Sequence, residues 1–207
     1  MSHFFVVALV PRSTAPEEVE GAVGSLLAPY DEDIRVEPYH SYLNERSVEY
    51  RKQKYETDDF AEIARRQNEQ YADADPYADP DDMLLLDEQG LYTLSTYNPR
   101  SKWDYWIIGG RWNGAIRNAP RDDGNGGFNF SSEFHHLAEN ILPASELDHD
   151  LGCFAVVTPD GAWHEKGRMG WWAVVSDEKA DETWDVEVRR LIATHQDCYM
   201  VGLDCHI

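Results

Sequence analysis

The sequence predicts an α+β fold: a mainly antiparallel sheet with helices on one face. Three observations predict it. Short apolar runs of strand length recur at 3–10, 34–43, 153–158, 171–175 and 199–207. Two other segments, 14–29 and 177–195, carry their apolar residues at helical spacing. Tight-turn signals such as Pro159-Asp160-Gly161 separate adjacent strands and point to hairpins. The topology that fits is a ferredoxin-like arrangement split by an insertion over 45–150. With 207 residues, 42% of them hydrophobic, the chain is read as one domain, 1–207, with a substantial core.

Residues 3–10 barely alternate, which predicts a strand buried on both faces and ended by Pro11. Thr14-Ala15-Pro16-Glu17 has the form of a capping box. Val19, Val23, Leu26 and Leu27 follow at helical spacing, and Pro29 closes the helix. With a strand over 34–43, this makes an N-terminal β-α-β unit, 1–44. The stretch 45–90 reads as a charged, solvent-facing helix over about 58–71 followed by an acidic linker, Ala72 to Asp82.

The region 91–207 is Trp-rich at first and sheet-forming at its end. A loop is expected at Asp122-Asp123-Gly124-Asn125-Gly126-Gly127, and His135-His136 fall in a short amphipathic segment. Cys153–Thr158 reads as a strand turning through 159–161 to pair with Ala162–Arg168, and Trp171–Val175 as another. Ser176 can cap the helix that follows, with Trp184, Val188, Leu191 and Ile192 inward. Tyr199–Ile207 alternates Val201, Leu203, Cys205 and Ile207 against Gly202, Asp204 and His206.

The formal charge is −21. That excludes broad binding to duplex nucleic acid and to an anionic membrane surface. No apolar run approaches the ~20 residues of a membrane span, and the N-terminal stretch lacks the basic flank of a signal peptide. Cys153, Cys198 and Cys205 are odd in number and lie in strand-like contexts, the pattern of buried reduced thiols. A cytoplasmic location is expected.

One island reverses the acidity. Residues 91–120 hold four cations (Arg100, Lys102, Arg111, Arg117) against one anion, Asp104. Five aromatics, Tyr97, Trp103, Tyr105, Trp106 and Trp112, crowd the same stretch. Arg111, after Gly109-Gly110, could offer its planar fork and nearby amides to a phosphate or carboxylate. A structural alternative competes with it: Asp104 pairs with Arg111 or Lys102, the tryptophans are core, and the glycines form a bulge.

A second constellation is Trp163-His164-Glu165-Lys166-Gly167-Arg168. His164 is a candidate general acid/base with Glu165 to orient it, and Lys166 and Arg168 could add charge for a ligand. The alternative is a solvated hairpin tip. The third is Asp204-Cys205-His206, a carboxylate and an imidazole on one strand face. If His164 lay beside them, His164, Asp204 and His206 could hold a metal. His40 could line the same sheet face, and His149 sits in the acidic loop Asp148-His149-Asp150.

Asn98-Pro99-Arg100-Ser101-Lys102-Trp103-Asp104 with Gly109-Gly110-Arg111-Trp112, then Thr158-Pro159-Asp160-Gly161-Ala162-Trp163-His164-Glu165-Lys166-Gly167-Arg168-Met169-Gly170-Trp171, then Asp204-Cys205-His206, together resemble a family of bacterial and phage proteins with no established activity. The likeness covers residues 97–207. It implies a stand-alone intracellular protein with an accessory or mobile-element role, and it implies no reaction, cofactor or residue role.

The leading expectation is a protein that binds a small anionic ligand, such as a nucleotide or phosphorylated metabolite, as a hydrolase or transferase. Arg100, Lys102, Arg111, Lys166 and Arg168 would hold the anion, and Trp103, Trp106 or Trp112 would stack on a ring. His164 or His206, oriented by Asp204 or Glu165, would move the proton. No nicotinamide, flavin or phosphate-loop fingerprint occurs, so the cofactor is left open. Two alternatives stand beside it: an acidic interaction or decoy protein that binds a basic partner, and a metal-dependent hydrolase built on His164, Asp204 and His206.

Overall fold

Strand β1 (His3–Pro11) organises the larger part of the molecule, because residues Phe4 to Val10 are all buried. The computed structural model describes residues 3–74, 83–118, 137–169 and 174–207. It is α+β with a mainly antiparallel sheet. The chain forms two compact units, Met1–Asp33 with Pro99–Ile207, and Ile34–Asn98. After β1 and α1 (Val19–Leu27) the smaller unit contributes β2 (Arg35–Tyr42), α2 (Glu45–Tyr55), α3 (Phe60–Ala74), β3 (Leu85–Leu86) and β4 (Leu91–Tyr97). The larger unit resumes with β5 (Tyr105–Ile108), α4 (Leu137–Asn140), β6 (Ile141–Pro143), β7 (Ala155–Val157) and β8 (Trp163–Glu165). It ends with β9 (Arg168–Met169), β10 (Val175–Ser176), α5 (Asp181–Thr194) and β11 (Cys198–His206).

In the larger unit the main sheet runs β5-β11-β1-β7-β8, and β6 also pairs with β11. β1 and β11 are antiparallel from His3↔His206 to Pro11↔Cys198. β7 runs parallel to β1 and directly beside it. This corrects the ferredoxin-like expectation, in which an antiparallel strand would separate that parallel pair. The helices also take opposite faces instead of one. Phe4, Val6, Ala8 and Val10 meet Val19, Val23 and Leu27 of α1 in one core. Phe5, Val7 and Leu9 meet Trp184, Val188, Leu191 and Ile192 of α5 in the other. An unbroken apolar strand has no face to give to water, so both must be covered.

The helix starts differ from the capping residues read in the sequence. A 3₁₀ turn at Pro16–Glu18 precedes α1, and no side chain caps it, so Thr14 is not its cap. The α5 N-cap is Ala180, with the acids Asp181 and Glu182 in the first turn; Ser176 pairs in β10 instead. Those carboxylates favour the positive helix end without a side-chain cap.

In the smaller unit β2 pairs with β4, and β3 pairs with the other edge of β4. The N-terminal β-α-β unit expected over 1–44 is therefore not formed, since β2 belongs to this second sheet. Tyr55, Ile63, Ala64, Leu84 and Leu91 form its core. The charged stretch holds two helices. Asn44 caps α2 by accepting from the Ser47 amide at 2.8 Å, and Glu56 ends it in the left-handed region. On α3, Arg65 pairs with Glu62 and Glu69, and Arg66 with Glu62.

Among the described residues no helix is long and apolar enough to cross a membrane. Most of the acidic linker, the loop at 122–127, His135, His136, Trp171 and Trp172 lie outside the described residues.

Candidate functional site

β5 adds to the edge of β11 with Tyr105 opposite His206 and Ile107 opposite Asp204. The chain leaves the sheet at Gly109 (φ +79°) and Gly110 (φ +55°), both in the left-handed region that favours glycine. Three amides of this turn are committed. Gly109 N–H donates to the Gly202 carbonyl, Trp112 N–H to the Gly109 carbonyl, and Arg111 N–H to Asp204 Oδ2 at 2.9 Å. They hold the turn together instead of forming the open anion cradle that Gly109-Gly110 suggests.

Asp204 is the hinge of the arrangement. Its Oδ1 lies 2.9 Å from His3 Nδ1. Beside it, His206 Nδ1 lies 2.5 Å from Asp104 Oδ1, and the Asp104 amide donates to the His206 carbonyl. The His3 and His206 rings meet edge-on, centroids 4.8 Å apart at 61°. An ionised carboxylate only accepts hydrogen bonds, so at both contacts the imidazole Nδ1–H is the donor. Burial is graded: Asp204 is 4% exposed, His3 11%, His206 13% and Asp104 33%. Two imidazoles, each backed by a carboxylate, thus sit where β1, β11 and the start of β5 meet.

Sequence reasoning found half of this cluster. Asp204 and His206 are candidates there; His3 is passed over, and Asp104 enters only in the structural alternative, as a partner of Arg111 or Lys102. His3 carried one usable signal, as a polar side chain at the mouth of an otherwise apolar strand. Its pairing with His206 depends on strand register, which no local pattern specifies.

The other candidates lie elsewhere. Lys102 Nζ is 2.7 Å from Glu165 Oε1, and Trp163 Nε1 donates to Glu165 Oε2 at 2.9 Å. Lys166 is bracketed by Glu178 at 2.8 Å and Asp181 at 2.6 Å, which together push its ammonium pKa well up. Both ammonium groups are spent on neighbouring acids. Arg100 lies over the Tyr30 ring at 4.7 Å. Arg111 is exposed at the turn beside Asp204, and Arg168 is exposed on β9.

Trp103 is buried and donates Nε1–H to the Leu27 carbonyl at 3.1 Å, so it cannot stack on a ligand. Trp106 is half-buried against the α1 core, and Trp112 stacks on Phe5 at 5.5 Å in the α5 core. The tryptophans are principally packing.

His164 stands opposite Val156 on β8, three strand spacings or about 14 Å from β11. It therefore does not join Asp204 and His206, and the three-residue metal site is not assembled. Among the described residues no group of three or more His, Cys, Asp or Glu could hold a metal. His40 is in the other sheet, with Tyr42 and Asp87, and His149 pairs with Asp148 at 3.0 Å. All three cysteines are buried and free. Burial pushes the Cys153 thiol up to about 12 and Cys205 well above its ordinary value, which removes both as nucleophiles at neutral pH.

Comparison of the chain with protein-family models, with curated proteins and with solved structures gives no match. The site must be read from its own chemistry.

Proposed function

We propose that the larger unit binds a small anionic molecule and moves a proton on it, as a hydrolase or transferase, with His3 and His206 as the reacting groups. One observation supports this reading above the rest: two imidazoles in edge contact, each with Nδ1 held by its own carboxylate. Fixing Nδ1 in this way sets the tautomer and orientation of an imidazole, the side chain best suited to proton transfer near neutral pH. Exposed Arg111, anchored through its amide to Asp204, would give the anion a guanidinium. The overall charge of −21 would turn away long polyanions and admit small ones.

The test is titration of histidine-¹⁵N-labelled protein with inorganic phosphate and with uridine monophosphate. Shifts of the His3 and His206 signals, with protection against heat approaching ~2.7 kcal/mol at 100 times the dissociation constant, are expected. Histidine signals unmoved by either probe at millimolar concentration would end the proposal.

A further inference from the structure

We propose that the smaller unit docks a basic peptide segment of a partner protein, seating one arginine or lysine side chain in a cavity walled by Tyr42, Glu45 and Glu49. The cavity, about 430 Å³, lies where the end of β2, the start of α2, Phe60 and the β3–β4 turn meet. That is within the range of ligand cavities, ~300–1,000 Å³. Its lining is divided as a long cationic side chain is. Leu43, Val48 and Leu91 offer apolar surface to a methylene stem. Glu45 and Glu49 offer carboxylates to the charged head, and Tyr42 and Phe60 offer rings. This site is separate from the histidine cluster and does not depend on the anion reading.

Charge favours a cation. Glu45 and Glu49 stand four residues apart on α2, so two like charges share one helix face and weaken it. Glu45 makes no ion pair among the described residues. Glu49 shares Lys52 with Asp58, at 3.3 and 3.2 Å, leaving three carboxylates against one ammonium. Lys52 already uses such a seat, lying 5.7 Å over the Phe60 ring. Tyr42, 39% exposed, is the ring for a second cation. Its hydroxyl donates to Asp87 Oδ2 at 2.7 Å, which steadies the ring and pushes the phenol up to about 12, so it stays neutral. An aromatic shelf continues the cavity and suits a chain better than a free amine: His40 stacks on Tyr92 at 3.9 Å, and Tyr42 lies 5.5 Å from Tyr92. Ile34–Asn98 carries fifteen Asp/Glu against seven Lys/Arg, which draws in a basic segment and repels an acidic one.

The experiment titrates the full chain, ¹³C-labelled in its aromatic rings, with three probes: a capped peptide of alternating glycine and arginine, the same peptide with citrulline for arginine, and arginine amide. The arginine peptide should shift the Tyr42 and Phe60 ring signals and bind more weakly as salt is raised. Glu45→Gln and Tyr42→Leu should each lower its affinity roughly two- to fivefold. Tyr42→Phe, which keeps the ring, should retain binding. Equal binding of the citrulline peptide would overturn the proposal, and that comparison needs no variant that must fold. Shifts spread along the acids of α3 with both rings unmoved would overturn it too. Arginine amide bound as tightly as the peptide would overturn the docking surface and make a free amine the ligand.

Discussion

Gly110 lies beneath the carboxylate of Asp204: a β-carbon at residue 110 would stand 2.5 Å from Asp204 Oδ2 and 2.5 Å from its Cβ. The glycine is required twice, by this approach and by its φ of +55°. Gly110→Ala should cost about 1–3 kcal/mol, since it displaces a buried carboxylate from its donors. Gly152→Ala is the control. Its φ is similar, +58°, but the space around it is open, so only the left-handed strain of about 1 kcal/mol applies. Urea midpoints of the two variants check the contrast.

Asp204→Asn should destabilise by about 2–3 kcal/mol. The carboxylate is buried and receives both the His3 ring N–H and the Arg111 amide, and a carboxamide can accept from only one of them. Denaturant unfolding measures it.

Asp104→Asn separates positioning from stability. Asp104 is a third exposed, so the variant should unfold within about 1 kcal/mol of the parent. The ¹⁵N chemical shifts of the His206 ring should nevertheless change at fixed pH, because its Nδ1 partner is no longer a carboxylate that can only accept. Unchanged His206 ring shifts would show that the contact does not orient the ring.

Lys102→Met should leave binding of inorganic phosphate unchanged, because its ammonium serves Glu165 and not a guest. Both partners are partly buried, so a double-mutant cycle with Glu165→Gln should give a coupling of about 1 kcal/mol.

Acid should loosen the smaller unit. The Arg65 and Arg66 guanidinium groups hold the Glu62 carboxyl down at about 2 from 4.5. Asp87 is also held below its ordinary value, chiefly by the Tyr42 hydroxyl. For a depressed carboxylate the folded state binds fewer protons than the unfolded one. The stabilisation is therefore complete above the ordinary carboxylate range and is lost as pH falls toward 2. Melting temperatures between pH 6 and 2.5 should fall steadily, with amide protection lost in α3.

Much of the larger unit was legible because its local and long-range demands agree. β1 has no polar face, Val201, Leu203 and Cys205 alternate cleanly with Gly202, Asp204 and His206, and Trp184, Val188, Leu191 and Ile192 share one helical stripe. α2 was missed because it buries little beyond Tyr55 and is polar all round. The placement of β2 was misread because nothing in 34–43 says whether its partner is residue 6 or residue 94. The site divided along the same line. Asp204 and His206 share a strand and show their spacing, whereas His3 and Asp104 reach them only through pairings across the chain.

The pairing of β1 with β11 along its whole length has a cost during synthesis. A nascent chain carries β1, greasy on both sides, through the synthesis of every element from α1 to α5 before its principal neighbour leaves the ribosome. Closing so wide a loop is slow, and until it closes the exposed strand is a target for chaperones and for self-association.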